Sequence, residues 1–249
     1  NKLNFFVVFI ISLVAFAYLY SILDNPFSSK EVFNKFLFSS FRIFLCFILC
    51  SIIFYIFIFF NFISKNHTSA IYINPITNFI NRYGKIAIGI LLLIGLYRIA
   101  DVVMGVMANI FYLEKGFNIK EIATYSKFFG VFATIIGGFA GGIFAMKFGT
   151  MKALFLGALL AATSNLLFMW LAIAPISIEL LITAITADNI SSGFAGAAFV
   201  IYLSALTSLK FTATQYALFS SLMLFLPKLI AGYAGSWVDS IGYPNFFLI

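Results

Sequence analysis

The sequence predicts an all-α polytopic membrane protein, and three observations carry that expectation. Hydrophobic residues make up 63% of the 249 and charged residues only 9%, against about 25% charged in an ordinary soluble domain. Mean hydropathy is +1.09, which leaves too little polar surface to cover a water-soluble globule. Apolar runs of about 20 residues, enough to cross a bilayer core, recur along the whole chain. These features exclude a soluble enzyme, a disordered tail and a coiled coil. The 15 Lys and Arg exceed the 8 Asp and Glu, for a net charge of +7. The bases are scattered singly between apolar runs, so no nucleic acid is expected as a partner. Membrane lipids are. Cys46 and Cys50 sit four apart in one apolar run and read as small packing residues. They form neither a disulfide framework nor a zinc site, and no metal or cofactor is expected. A secretory leader is a poor reading, because no small-residue cleavage site precedes Asp24-Asn25-Pro26.

Taken in order, the apolar runs give spans near 3–23, 37–63, 86–112, 123–146, 152–174, 177–208 and 213–238. An eighth begins near Pro244 and is cut at Ile249. The expected organisation is two transmembrane helices over 1–63, a cytoplasmic loop over 64–85, and a six-helix region over 86–249 whose last helix is truncated. On this reading the chain is a fragment of something longer, or the product of a broken gene.

The loop charges sort by side. Alternate loops carry Lys2, then Lys65, Arg82 and Lys85, then Lys147 and Lys152, then Lys210, with no acid among them. The opposite loops carry four bases, Lys30, Lys35, Lys115 and Lys120, together with Asp24, Glu31, Glu114, Glu121, Glu179 and Asp239. The first set is therefore cytoplasmic, and the 113–122 loop faces the other side. His67, in the 64–85 loop, reads as a solvated surface residue. The Phe-rich faces of the 37–63 span read as lipid-facing.

The loops after two spans share a pattern. Gly142-x-x-x-Met146-Lys147-x-Gly149 ends the fourth, and Gly235-x-x-x-Asp239-Ser240-x-Gly242 ends the seventh. Small residues precede each: Gly137, Gly138 and Gly141 in one, Ala231, Gly232 and Ala234 in the other. The copies occupy the same place in successive three-helix units, on opposite sides of the membrane by charge. That is the mark of two inverted three-helix repeats, 86–174 and 177–249. Glycines there permit tight turns and close helix approach. The pattern resembles the loop signature G-x-x-x-D-R/K-x-G of the major facilitator superfamily, with Met146 standing where the first copy's acid belongs.

Six ionisable groups fall inside spans: Arg42, Arg98, Asp101, Lys127, Asp188 and Lys228. Each costs about 2.5–3.5 kcal/mol at a helix centre. Arg42 and Lys127 lie near outer helix ends, where long side chains reach the interface. Arg98 and Asp101 sit mid-span on one helical face, three residues apart. The pair serves either to fix helix packing or to take up a proton at Asp101 when it loosens. Asp188 has no opposite charge within a turn, so its partner comes from another helix. Lys228 follows Pro227, which removes a backbone hydrogen bond and should kink the span. Lys228 is either a counter-ion for Asp188 or a hook for a substrate carboxylate.

Closer resemblance lies in longer stretches. Phe211-Thr212-Ala213-Thr214-Gln215-Tyr216-Ala217-Leu218-Phe219-Ser220-Ser221-Leu222 resembles the opening of the eleventh helix of the AmpG muropeptide permeases. Leu93-Ile94-Gly95-Leu96-Tyr97-Arg98-Ile99-Ala100-Asp101 is similar to that family's seventh helix. Asp188-Asn189 and the Gly232–Gly242 stretch, with Trp237 and the following Tyr243-Pro244-Asn245, agree in kind. The resemblance covers roughly 75–249, while 3–63 matches nothing placed. It implies the C-terminal half of a proton-coupled inner-membrane importer of muropeptides for cell-wall recycling, working with an N-terminal helical half. Its energy is the proton gradient, with no cofactor. The candidate coupling residues are then Arg98, Asp101 and Asp188, and the candidate substrate contacts Tyr97, Asn189, Gln215 and Lys228. Gly142, Gly149, Gly235, Asp239, Gly242 and Pro227 are the candidate gating and turn positions. Rival readings are a carrier of another solute, such as acetyl-CoA or a peptide, and a non-functional fragment. A membrane-embedded enzyme is disfavoured, because no catalytic constellation lies inside the spans.

Overall fold

The computed structural model describes residues 2–27 and 32–249. Lys30 and Glu31, two of the charges used for orientation, lie outside them, as do the side chains of Lys2 and His67. The chain divides into two compact units, Asn1–Gly84 and Lys85–Ile249.

In the first unit, α1 (Lys2–Ile22) and α2 (Val32–Phe59) pair as a hairpin. Its helices meet through Phe16 on Phe47, with ring centroids 5.1 Å apart, and Phe5 on Phe54 at 5.6 Å. The Cys50 thiol donates to the Ser12 carbonyl at 3.3 Å, and Cys46 is buried. Arg42 bonds the Leu23 carbonyl just past the end of α1, and its guanidinium lies 3.7 Å over the Tyr20 ring. A cation there suits the negative end of the helix. The segment read as a loop over 64–85 is helical almost throughout. It comprises α3 (Lys65–Thr68), a π turn (Ser69–Ile73) and α4 (Asn74–Tyr83), and ends at Gly84 with φ 54°.

In the second unit, α5 (Ile86–Leu96) and α6 (Ile99–Lys115) form one span interrupted at Tyr97-Arg98. The next span joins α7 (Ile119–Ile122), a π stretch (Ala123–Phe129) and α8 (Gly130–Phe148). Then come α9 (Thr150–Ile173), α10 (Ile178–Leu206), α11 (Thr212–Ala231) and α12 (Ala234–Leu248), the last broken at Gly242, where the backbone leaves helical geometry. Among the described residues, seven helices are long and apolar enough to cross a membrane, and they fall where the apolar runs put them. The 213–238 run is not one helix, however. α11 runs through Pro227 and breaks at Gly232-Tyr233, where Tyr233 leaves helical geometry at φ −108° and ψ 1°.

Packing in this unit follows the repeat. The second helix of the first triplet, α8, lies on α10, the first of the second triplet. Reciprocally, α11 lies on α5 and α6. The third helices also meet, with Phe168 of α9 on Phe247 of α12 at 5.4 Å. Two triplets related by a twofold axis give this exchange of partners. The turn glycines agree more closely still. Gly149 has φ 92° and ψ 152°, and Gly242 has φ 74° and ψ 159°. That region of backbone space is open essentially to glycine alone.

Apolar attraction does not drive helices together in lipid, so close packing must. Along α8, a Cβ added at Gly137 would strike the backbone of Ile190, and one at Gly141 the backbone of Phe194. From the other side, Gly193 of α10 rests on the Thr134 carbonyl. Of the helix-end glycines expected to allow close approach, Gly137 and Gly141 do so, and Gly142 and Gly235 do not. At Gly142 and Gly235 nothing stands within 4 Å of an added Cβ.

Helix ends are tied off with side chains. The Lys115 ammonium donates to the carbonyls of Ala172 and Ala174 at 2.8 and 2.7 Å, closing the C-terminal end of α9. Lys115→Met should cost about 1 kcal/mol and lower the thermal midpoint in detergent. An unchanged midpoint would show that these bonds are idle. Asn118 opens α7 through a capping box with Glu121, so a topology probe belongs beside it, at exposed Lys120. With Cys46 and Cys50 replaced, Lys120→Cys should react with an impermeant thiol reagent in intact cells. Protection there would reverse the orientation.

Candidate functional site

The charged residues of the second unit gather where the first span is interrupted. Arg98 has φ −102° and ψ 9°, outside helical geometry, and it carries the turn from α5 into α6. Its Nε lies 3.1 Å from Asp101 Oδ2, with the two side chains 22% and 12% exposed. Its Nη2 donates to Ser192 Oγ of α10 at 3.4 Å. Gly196, one turn on, leaves room for the guanidinium: a Cβ there would stand 3.2 Å from Arg98 Nη1. The pair expected from the sequence therefore forms, and a hydroxyl on a second helix joins it.

Asp188 lies one turn before Ser192 on α10 and within the electrostatic reach of both Asp101 and Arg98. Among the described residues its side chain meets one hydrogen-bond partner, the Ser164 hydroxyl of α9, which donates to it at 3.4 Å. That hydroxyl also lies 2.9 Å from the Ala161 carbonyl, with one proton to share between them. Lys228 makes no ion pair with Asp188. It is exposed on α11, without a partner among the described residues. The cluster thus sets one guanidinium against two carboxylates.

The other candidate residues are largely committed to packing. Tyr97 stacks on Phe199 at 4.8 Å and donates to the Leu154 carbonyl at 2.9 Å, clamping α9 and α10. Gly157 makes space for that hydroxyl. Asn189 donates to the Ile185 carbonyl at 2.8 Å, and its Oδ1 lies 3.0 Å from Thr134 Oγ1 of α8. Gln215 is 1% exposed, and its Oε1 accepts the Ser208 N–H at 2.7 Å, so it holds the turn between α10 and α11. Asp239 is exposed. Sequence reasoning gave Ser164 and Ser192 no role in the site, since a serine in an apolar helix carries no signal of what it faces. Nor did it give a role to Asn165, which with Tyr97 and Asp101 lines a cavity of about 330 Å³ walled by Gly157, Ala158 and Ala161.

These features define a class: an all-α, multi-pass membrane protein of the major facilitator type. The particular likeness comes from comparison. The chain is 37% identical over 176 residues to the Rickettsia felis protein named "Putative transporter AmpG 4", covering 71% of this chain and 42% of that one. It is 36% identical over 188 residues to the protein of the same name in Rickettsia conorii, 76% of this chain and 45% of the relative. To "Putative transporter AmpG 1" of Rickettsia bellii it is 35% identical over 175 residues, 70% and 43% of the two chains. No protein-family model matches. Over the matched segment the chain is AmpG-like, and it spans less than half the length of the curated relatives it matches.

Proposed function

We propose that this chain supplies the C-terminal half of a proton-coupled importer, and that an N-terminal helical half completes the pathway. The cargo is a muropeptide of the N-acetylglucosaminyl-anhydro-N-acetylmuramic acid type. The likeness to transporters named AmpG supports the carrier, and the cargo rests on the resemblance of the 93–101 and 211–222 stretches to muropeptide permeases. One observation supports the coupling: two carboxylates lie inside the membrane near a single guanidinium, which is paired with only one of them. With both acids ionised the cluster carries one negative charge that the low-dielectric interior opposes, and a single proton removes it. Arg98 already holds Asp101, so the proton goes to Asp188, whose hydroxyl partner offers no counter-charge. The α5–α6 interruption puts the cluster at a discontinuous helix, where transporters commonly build ion and substrate sites.

The test is accumulation of labelled anhydromuropeptide by vesicles holding this chain together with the N-terminal helices of a full-length relative. An imposed gradient, acid outside, should drive uptake, and a protonophore should abolish it. Uptake indifferent to the gradient would remove the coupling. Absence of muropeptide uptake beside transport of another solute would remove the cargo. Lys228 has a separate role as the fixed cation that meets the substrate carboxylate. Lys228→Gln should raise KM for anionic muropeptides roughly tenfold, the loss of one charge-assisted hydrogen bond. A neutral disaccharide analogue should be unaffected. Equal losses for both substrates would exclude Lys228 as the hook.

A further inference from the structure

α4 has two apolar edges, and the protein covers only one. At helical spacing Phe79, Tyr83, Ile76 and Ile80 fall within an arc of roughly 100°. Phe79 is buried on the first unit and lies 5.0 Å from the Tyr83 ring. Ile76 and Ile80 are 45% and 47% exposed, and Ile73, at the end of the preceding π turn, is 54% exposed. The opposite arc is Asn74, Thr77, Asn78, Asn81 and Arg82. Tyr72 anchors the start of the segment, stacked on Phe5 at 5.9 Å and edge-on to Phe54 at 6.3 Å. Those rings belong to the ends of α1 and α2 that the charge pattern puts at the cytoplasmic surface.

What should cover the open isoleucines follows from charge and position. The segment leaves one membrane span at Phe59 and the next begins at Ile86, so both of its ends are held at a bilayer surface. Lys65, Arg82 and Lys85 are basic, and no acid occurs between Glu31 and Asp101. An amphipathic helix with isoleucines on one side, bases around it and tyrosines at its ends matches a layer with anionic headgroups above acyl chains. We propose that the 65–83 segment is a membrane-surface element, with Ile73, Ile76 and Ile80 dipped below anionic phospholipid headgroups and the bases in contact with their phosphates. The proposal is independent of what the chain carries.

Spin labels on single cysteines in the full chain, with Cys46 and Cys50 replaced, test it directly. The labels go at Ile76→Cys, Ile80→Cys, Thr77→Cys and Asn81→Cys, in vesicles of phosphatidylglycerol or of phosphatidylcholine. In phosphatidylglycerol, labels at 76 and 80 should collide with oxygen, relative to an aqueous nickel chelate, severalfold more often than those at 77 and 81. Lys65→Gln, Arg82→Gln and Lys85→Gln together should lower that ratio in phosphatidylglycerol and leave it unchanged in phosphatidylcholine. Three results would overturn the proposal. Labels at 76 and 80 as wet as those at 77 and 81 would take the helix off the membrane. Labels shielded from both reagents would mean that a protein surface covers it. A ratio indifferent to lipid charge and to the triple substitution would remove the anionic headgroup as partner.

Discussion

Gly137→Ala and Gly141→Ala should each abolish most of the folded protein recovered in detergent, while Gly142→Ala and Gly138→Ala leave recovery near that of the parent. The added methyl at 137 or 141 meets backbone rather than a side chain that could swing aside. α8 and α10 must therefore separate along their length. Overpacking usually costs about 1–3 kcal/mol, and backbone obstruction puts these changes at or above the top of that range. The helices also share the Thr134–Asn189 contact, and α10 carries Asp188 and Ser192, so separation dismantles the polar cluster as well. At Gly142 nothing stands within 4 Å of an added Cβ, and at Gly138 the nearest atom is 3.8 Å away. These two changes are controls for helix propensity, which alanine improves. Size-exclusion profiles of fluorescent fusions read the outcome. If all four variants behave alike, α8 and α10 are not in the contact described here.

The largest effect on transport should come from the carboxylates, and the two should fail differently. Asp188→Asn removes the charge that a proton would neutralise and keeps a group able to meet Ser164. Yield should hold, uphill uptake should fall to the level seen without a gradient, and exchange of substrate across the membrane should continue. Asp101→Asn leaves Arg98 without its 3.1 Å partner and should lower yield as well as coupling. Arg98→Gln is the most damaging of the three, because it strands Asp101 and removes the one positive charge near both carboxylates. Breaking a buried pair in this way typically costs about 3–5 kcal/mol. Asp101→Asn added to Arg98→Gln should recover part of the lost yield. Accumulation by Asp188→Asn equal to that of the parent would move the proton elsewhere.

Much of the fold was legible because membrane crossing imposes length and hydropathy on a segment by itself, whatever it packs against. The Arg98–Asp101 pair was legible because a separation of three residues brings the two side chains together whether Arg98 continues the helix or, as here, caps the start of α6. What escaped depends on neighbours far along the chain. Gly95 lies two residues before the interruption at Tyr97-Arg98 but does not locate it, and there the guanidinium is drawn to Ser192, 94 residues away. The π stretch over Ala123–Phe129 leaves no compositional trace. Gly141 and Gly142 look equivalent in the sequence, yet a rotation of about 100° per residue sends one into α10 and the other into open space. Gln215 was read as a substrate contact because it lies in a specific stretch, but its side chain closes a turn.

The twin turns at Gly149 and Gly242 bear on how a duplicated three-helix unit diverges. Both adopt one backbone geometry, yet Met146 precedes the first and Asp239 the second at the same place in the pattern. The turn itself therefore does not require the acid, and that position is free to drift between copies. A side chain at 149 or 242 has no such latitude, because any Cβ meets a conformation that L residues rarely adopt. What the copies must both inherit is a missing atom rather than a charge.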